Sequence, residues 1–200
     1  MKRLILIALA LTMLFLLACG PSVKVTRTSI DTTTDLSGRW NDTDAKLVAQ
    51  EMVSDVLSRA WYDEFLKSQG RSPVVIVGTI RNLSTEHIET ETFISDIERE
   101  LINSGKVKFV ASKDERAEVR DERLDQQTQS SEETAKRLYE ETGADFMLQG
   151  SIKTIIDKVD NLEAKFYQTD LQLIQLENNE KVWIGTKKIK KFLEKNKYKG

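Results

Sequence analysis

The chain has 200 residues, 40% of them hydrophobic and 31% charged, enough apolar content for one domain with its own core. A formal net charge of −2 leaves no basic surplus for nucleic-acid binding over the whole surface, and a single cysteine excludes an internal disulfide framework and a thiolate metal site. Two prolines and nine glycines exclude collagen-like or long disordered stretches of that composition.

Lys2 and Arg3 precede an apolar run from Leu4 to Leu17. At about 14 residues the run falls short of the roughly 20 that a transmembrane helix needs, and it suits the core of a signal peptide. It ends in Leu16-Leu17-Ala18-Cys19-Gly20, which resembles the lipobox of bacterial lipoproteins. Leu16 takes the apolar position, Ala18 the small position before the cut, and Cys19 the acylated position; Leu17 is bulkier than the usual occupant. Residues 1–18 are therefore expected to be a lipoprotein signal peptide. Acylation of Cys19, palmitate included, accounts for the lone thiol of an exported chain and gives stable membrane attachment, where one acyl chain would hold only marginally. Gly20, where Asp would signal retention, implies an outer-membrane lipid anchor facing the periplasm by the sorting rule of Gram-negative bacteria. Removing Lys2 and Arg3 from the 30 basic residues leaves 28 against 32 acidic ones, a mature net charge near −4.

Residues 19–38 are rich in Thr, Ser and Asp and read as the lipidated cysteine followed by a short polar tether. Within it, Val23 to Arg27 alternates as a small strand would. A helix capped by Asp42 or Thr43 follows, with Leu47, Val48, Met52, Val53, Val56, Leu57, Ala60 and Trp61 at three- and four-residue spacing, running to about Lys67 and stopping at Gly70. Pro73 to Gly78 reads as a strand covered on both faces. Asn82 to Glu86 is a polar loop, and Thr90 to Asn103 a second amphipathic helix with Phe93, Ile94, Ile97, Leu101 and Ile102 inward and Gly105 as its stop. Val107 to Val110 is a short strand, and Ser112 caps a charged helix over 113–125. Ser130 or Ser131 opens another helix that ends at Gly143. Phe146 to Ile152, Phe166 to Leu176 and a strand beginning at Val182 after Asn178-Asn179 form a closing antiparallel set. Helix-linked strands followed by a hairpin predict an α/β (α+β) domain with a small mixed sheet flanked by helices, over residues 39–190. From Lys187 to Lys199 lysines dominate, and 191–200 reads as a basic tail that is either solvated or a contact for an acidic partner or membrane headgroups.

Several segments together resemble the LpoB family of outer-membrane lipoproteins. They are Gly38-Arg-Trp-Asn-Asp42, Val74-Val-Ile-Val-Gly-Thr-Ile-Arg-Asn82 and Asn103-Ser-Gly-Lys-Val-Lys-Phe-Val110, followed by Ala144-Asp-Phe-Met-Leu-Gln-Gly-Ser151, Gln168 to Leu176 and Lys181-Val-Trp183. The resemblance implies a fold similar to the N-terminal domain of TolB. It also implies a non-enzymatic role, binding a peptidoglycan synthase and stimulating its polymerising and cross-linking activity. The domain is expected to be monomeric, with a penicillin-binding protein or other envelope protein as its partner. Family members reach their partner through a long Pro-rich segment. Here the tether is about 19 residues, at most ~65 Å fully extended and roughly 25 Å as a flexible coil. The rival expectation is a structural or assembly lipoprotein of an outer-membrane complex with no synthase partner.

No catalytic set, cofactor motif or metal site is legible. The single histidine, His87, sits between Glu86 and Glu89 in a loop and reads as solvated, with no second histidine or thiolate to complete a zinc site. There is no Gly-rich phosphate loop and no serine elbow. Trp61 and Trp183 read as packed. Trp40, just ahead of the first helix, is either a staple against it or part of a partner-binding surface.

Overall fold

A computed structural model describes residues 25–29, 32–131 and 141–194 of the chain. It divides into two units, Met1–Thr33 and Thr34–Gly200. The described residues of the first, 25–29 and 32–33, are exposed and form no helix or strand. The rest of the segment expected to alternate as a strand, and Cys19 with its signal peptide, lie outside the described residues. Every regular element described belongs to the second unit, which takes in residues 34–38 of the expected tether.

Helix α1 spans Asp42–Leu57. Its cap is Asn41 rather than Asp42 or Thr43. The Asn41 side chain accepts from the Asp44 N–H at 3.1 Å while the Asp44 carboxylate accepts from the Asn41 N–H at 3.0 Å, so two otherwise orphaned donors are satisfied reciprocally. Ala45, Val48, Ala49, Met52, Val53, Val56 and Leu57 form its buried face. Leu47, expected inward, is 52% exposed because it projects roughly 100° around the axis from Val48.

The single helix expected to reach Lys67 is two. Helix α1 stops at Ser58, Arg59 is extended, and α2 spans Ala60–Gln69 before Gly70 closes it at φ 63. Apolar spacing runs through the break without interruption. The break is made by side chains that replace helical hydrogen bonds: Ser58 Oγ donates to the Asp55 carbonyl and the Trp61 indole N–H to the Val56 carbonyl, each at 2.7 Å. Trp61 and Phe65 thereby meet Phe146 edge-on, at 4.9 and 5.2 Å between ring centres.

Strand β1 (Val74–Asn82) is followed by α3 (Thr90–Asn103), β2 (Lys108–Phe109) and α4 (Lys113–Gln129). Phe93, Ile97 and Leu101 bury one stripe of α3, but Ile102 is 53% exposed, one step off that stripe. Helix α4 has the expected Ser112 cap and buries none of its residues. The helix expected from Ser130 or Ser131 onward falls mostly on 132–140, outside the described residues. Three 14-residue strands follow, β3 (Phe146–Val159), β4 (Leu162–Gln175) and β5 (Lys181–Glu194). Both hairpin turns use a left-handed residue that tolerates it, Asp160 (φ 51) and Asn179 (φ 61).

The sheet order is β2-β1-β3-β4-β5, parallel from β2 to β3 and antiparallel from β3 to β5. This is the expected α+β arrangement, a mixed sheet flanked by helices. The β1–β3 register shifts between Val77 and Ile80, at Gly78, where a strand glycine permits a bulge. Strand β3 runs well past the expected Ile152, because residues 155–159 expose both faces and carry little hydrophobic signal, and β4 begins at Leu162, ahead of the expected Phe166. Strand β5 runs through Glu194, past the expected domain limit at 190, and it buries Lys191; residues 195–200 lie outside the described residues.

The core lies between α1, α2 and α3 and one face of the sheet, with Val48, Ala49, Phe93, Ile97, Ile152 and Tyr167 fully inaccessible. Gly150, Leu171 and Gly185 form one row across β3, β4 and β5. A Cβ at Gly150 would lie 2.2 Å from the Asp170 carbonyl oxygen, a backbone atom that cannot move aside. Gly150→Ala is therefore expected to lower stability by about 1–3 kcal/mol through overpacking, read as a reduced urea midpoint with unchanged slope.

Candidate interaction surface

On the helix-facing side of the sheet, β4 presents Lys165, Tyr167, Thr169, Leu171 and Leu173 in alternation, all buried. Lys165 lies directly opposite Lys191 of β5. Both ammonium side chains are only 8% exposed. Like charges opposite one another across two strands repel, and each is met by carboxylates from elsewhere in the chain. Glu86, from the loop between β1 and α3, receives Lys165 Nζ at 2.6 Å, the Tyr167 hydroxyl at 2.7 Å and the Trp40 backbone N–H at 3.3 Å. Lys191 Nζ lies 2.6 Å from Asp44 in the first turn of α1, pairs with Asp35, and donates to the Arg39 carbonyl at 3.0 Å.

The protonation equilibria follow this geometry. Burial works against the charge of Glu86, but the hydrogen bonds from Lys165 and Tyr167 outweigh it and hold its pKa below the usual carboxylate value. Burial dominates at Asp44 and raises its pKa, with Lys191 only partly compensating. Asp35 is held low by its hydrogen bond to Lys191. Burial disfavours the charge of Lys191, yet Asp35 and Asp44 together raise its pKa. The Tyr167 hydroxyl is raised by burial and then by Glu86, so it stays a donor.

Trp40 is half-buried within this assembly. Its ring meets Phe93 and Tyr167 edge-on, with centres 6.0 and 5.7 Å apart. Trp61 and Trp183 are packed as expected, each 6% exposed. The Trp183 indole N–H donates to Asp55 at 2.8 Å, bolting β5 to α1. His87 is exposed in its loop, beside the buried Ile88.

The opposite face of the sheet carries a polar groove of about 610 Å³ lined by Thr79, Arg81, Gln149, Ser151, Lys153 and Asp170. Asp170 accepts from Lys153 at 2.9 Å, Thr186 at 2.8 Å and Gln168 at 2.8 Å. Burial opposes its charge, but these donors prevail and its pKa is lowered. The groove offers fixed hydrogen-bonding groups of both signs, suited to recognition. Among the described residues, no group of three or more His, Cys, Asp or Glu is placed to hold a metal ion, and no helix is long and apolar enough to cross a membrane.

The family model described as peptidoglycan-synthase activator LpoB matches residues 44–189, which spans α1 to β5. The chain belongs to the LpoB family. No relative was matched among curated proteins. Among solved structures, the chain is similar to the LpoB C-terminal domain from Salmonella enterica (18% identity, 73% of this chain and 98% of that one, TM-score 0.42). It is also similar to the corresponding domain from Escherichia coli (19% identity, 73% and 98%, TM-score 0.41) and to lipoprotein GNA1162 from Neisseria meningitidis (14% identity, 61% and 84%, TM-score 0.39).

The matched stretch of the LpoB family begins at Asp44 and ends at Ile189, so it holds Asp44, Glu86 and Lys165 but stops short of Lys191. Sequence reading missed these charges, although one signal was present: Lys165 occupies the same alternate set as Tyr167, Leu171 and Leu173. Glu86→Ala leaves buried Lys165 with only Glu163, 3.8 Å away, and is expected to reduce unfolding free energy by about 3 kcal/mol, measured by urea denaturation. Because the folded pKa of Glu86 is depressed, its stabilisation is present above the ordinary carboxylate pKa of about 4.3 and is lost as pH falls through the folded value. Asp35 acts in the same sense and Asp44 in the opposite one. The Glu86→Gln protein should therefore show a shallower decline of stability below pH about 4 than the parent.

Proposed function

We propose that this chain is an outer-membrane lipoprotein, acylated on Cys19 and facing the periplasm, whose domain binds a penicillin-binding protein and raises its peptidoglycan-synthesising activity without catalysing a step itself. The observation that carries this reading is the family match over residues 44–189, which takes in nearly all of the folded domain. The lipobox-like Leu16 to Gly20 ahead of it supports the anchor.

An activator needs a rigid surface that prefers one conformation of its partner, and it needs no nucleophile. A tenfold rise in synthase rate requires only about 1.4 kcal/mol of preferential binding to the more active state. The lysine clamp supplies rigidity, and the uncovered edge of Trp40 is proposed as part of the partner contact, since a half-buried aromatic combines a fixed orientation with apolar area. Residues 20–33, ahead of the folded unit, reach at most ~48 Å, so the synthase must present its docking surface within that distance beyond the domain.

Added to a cognate bifunctional synthase, the purified protein is expected to raise the rate of glycan-chain polymerisation, followed with a labelled lipid-linked precursor. Failure to bind any synthase of the same organism would overturn the assignment. Cys19→Ala should abolish palmitate labelling and membrane association while leaving activation in solution intact, which separates the anchor from the activity.

A further inference from the structure

Strand register gathers an apolar patch at one end of the sheet. Val159 lies opposite Leu162, Ile155 opposite Phe166, and Ala164 opposite Phe192 of β5. Alternation puts all six on the outer face, away from the helices. Ile155, Val159 and Phe192 are 66%, 65% and 67% exposed. One such residue on a surface is ordinary, whereas a contiguous set across three strands marks a contact site. Lys188 and Lys190 share this face, with Lys188 Nζ 5.9 Å from the centre of the Phe166 ring. Asp157 lies within this face, between Ile155 and Val159 and opposite Ala164, and Glu194 lies opposite Leu162.

The entry point of the chain indicates what covers this patch. Residues 35–38 join the domain at this same end, where Asp35 pairs with Lys191 and Gly38 packs so closely on Leu193 that a Cβ there would lie 2.5 Å from its Cδ2. Leu36 is 93% exposed and shares a surface hollow with Phe192. Residues 20–33 separate Cys19 from Thr34, a span of at most ~48 Å and roughly 21 Å as a coil. A 14-residue strand is itself about 46 Å long. An anchor on Cys19 therefore holds this end within the ordinary span of the leash, and the Asn178-Asn179 turn a strand length further off.

We propose that the outer face of the β3–β5 ends, with Leu36 beside it, is a second membrane contact that rests on the leaflet holding the acyl chains. This inference depends on the lipidation of Cys19 proposed above. The aliphatic side chains and Phe192 enter the interfacial region, while Lys188 and Lys190 lay their apolar stems along it and set their ammonium groups among anionic headgroups. Because the anchor makes the contact intramolecular, a patch too weak to bind vesicles from solution is still held in place. The domain is thus oriented, with the hairpin turn at Asn178-Asn179 pointing toward the periplasm.

The test uses the acylated full-length mature protein in phosphatidylethanolamine–phosphatidylglycerol vesicles. An environment-sensitive fluorophore is placed through Phe192→Cys or, at the far end of the sheet, Glu177→Cys; acylated Cys19 has no free thiol to label. Spin-labelled lipids should quench position 192 several-fold more than 177. Adding Ile155→Ser and Val159→Ser, both at exposed sites and with folding checked by circular dichroism, should bring the two positions together. An unacylated Cys19, seen by mass spectrometry, would sink the anchor and this contact together. A protein that is acylated and floats with the vesicles, yet is quenched equally weakly at both positions, would overturn the contact alone. So would a dimer in size-exclusion chromatography whose label at 192 is shielded from lipid.

Discussion

Two lysines buried side by side on adjacent strands govern how the rest of the chain is arranged. Lys165 and Lys191 face each other beneath the helices, where an unpaired ammonium group is strongly disfavoured. Neutralising them requires carboxylates that the sheet itself does not provide in sufficient number. They come from three separate places: Glu86 in the β1–α3 loop, Asp44 at the start of α1, and Asp35 ahead of it. Each of those segments is thereby bound to the ends of β4 and β5. The Tyr167 hydroxyl and the Trp40 backbone N–H complete the shell around Glu86, and the ring of Trp40 is seated against Phe93 and Tyr167 as a result.

This arrangement gives the two faces of the sheet different roles. The inner face is committed to α1, α2 and α3 and to the charged clamp, so it sets rigidity. The outer face of β3, β4 and β5 is open, polar near Asp170 and apolar toward Phe192. Under the proposed function, the open side and the rim where Trp40 emerges are the surfaces offered to a partner, and the buried charges hold them in fixed relation. The β5 edge, long and without a further strand beside it among the described residues, carries lysines along its length, a feature that discourages edge-to-edge aggregation.

Periodicity made most of the elements legible. The stripe Phe93, Ile97, Leu101 marks α3, the apolar run from Val74 to Val77 marks β1, and Ser112 ahead of a charged stretch marks the start of α4. The break between α1 and α2 was not legible, because Leu57, Ala60 and Trp61 keep helical spacing straight through it. It is produced by the Ser58 hydroxyl and the Trp61 indole satisfying the last carbonyls of α1. The far half of β3 was equally hidden, since residues 155–159 are exposed on both faces and carry no alternation of polarity, while in β4 and β5 the buried positions there include Lys165 and Lys191 and so interrupt the apolar signal.

The order of the segments from Gly38 to Trp183 determined the family and the α+β class, and the run from Lys2 to Gly20 determined the expectation of a lipid anchor, because both depend on residue type and spacing alone. Tertiary structure decided which lysines are solvated and which are buried. Lys190 and Lys191 are neighbours in a stretch that reads as a basic tail, yet strand alternation turns one to the open face and the other into the core. Only the pairing register, set by β4 and by carboxylates distant in sequence, determines which is which.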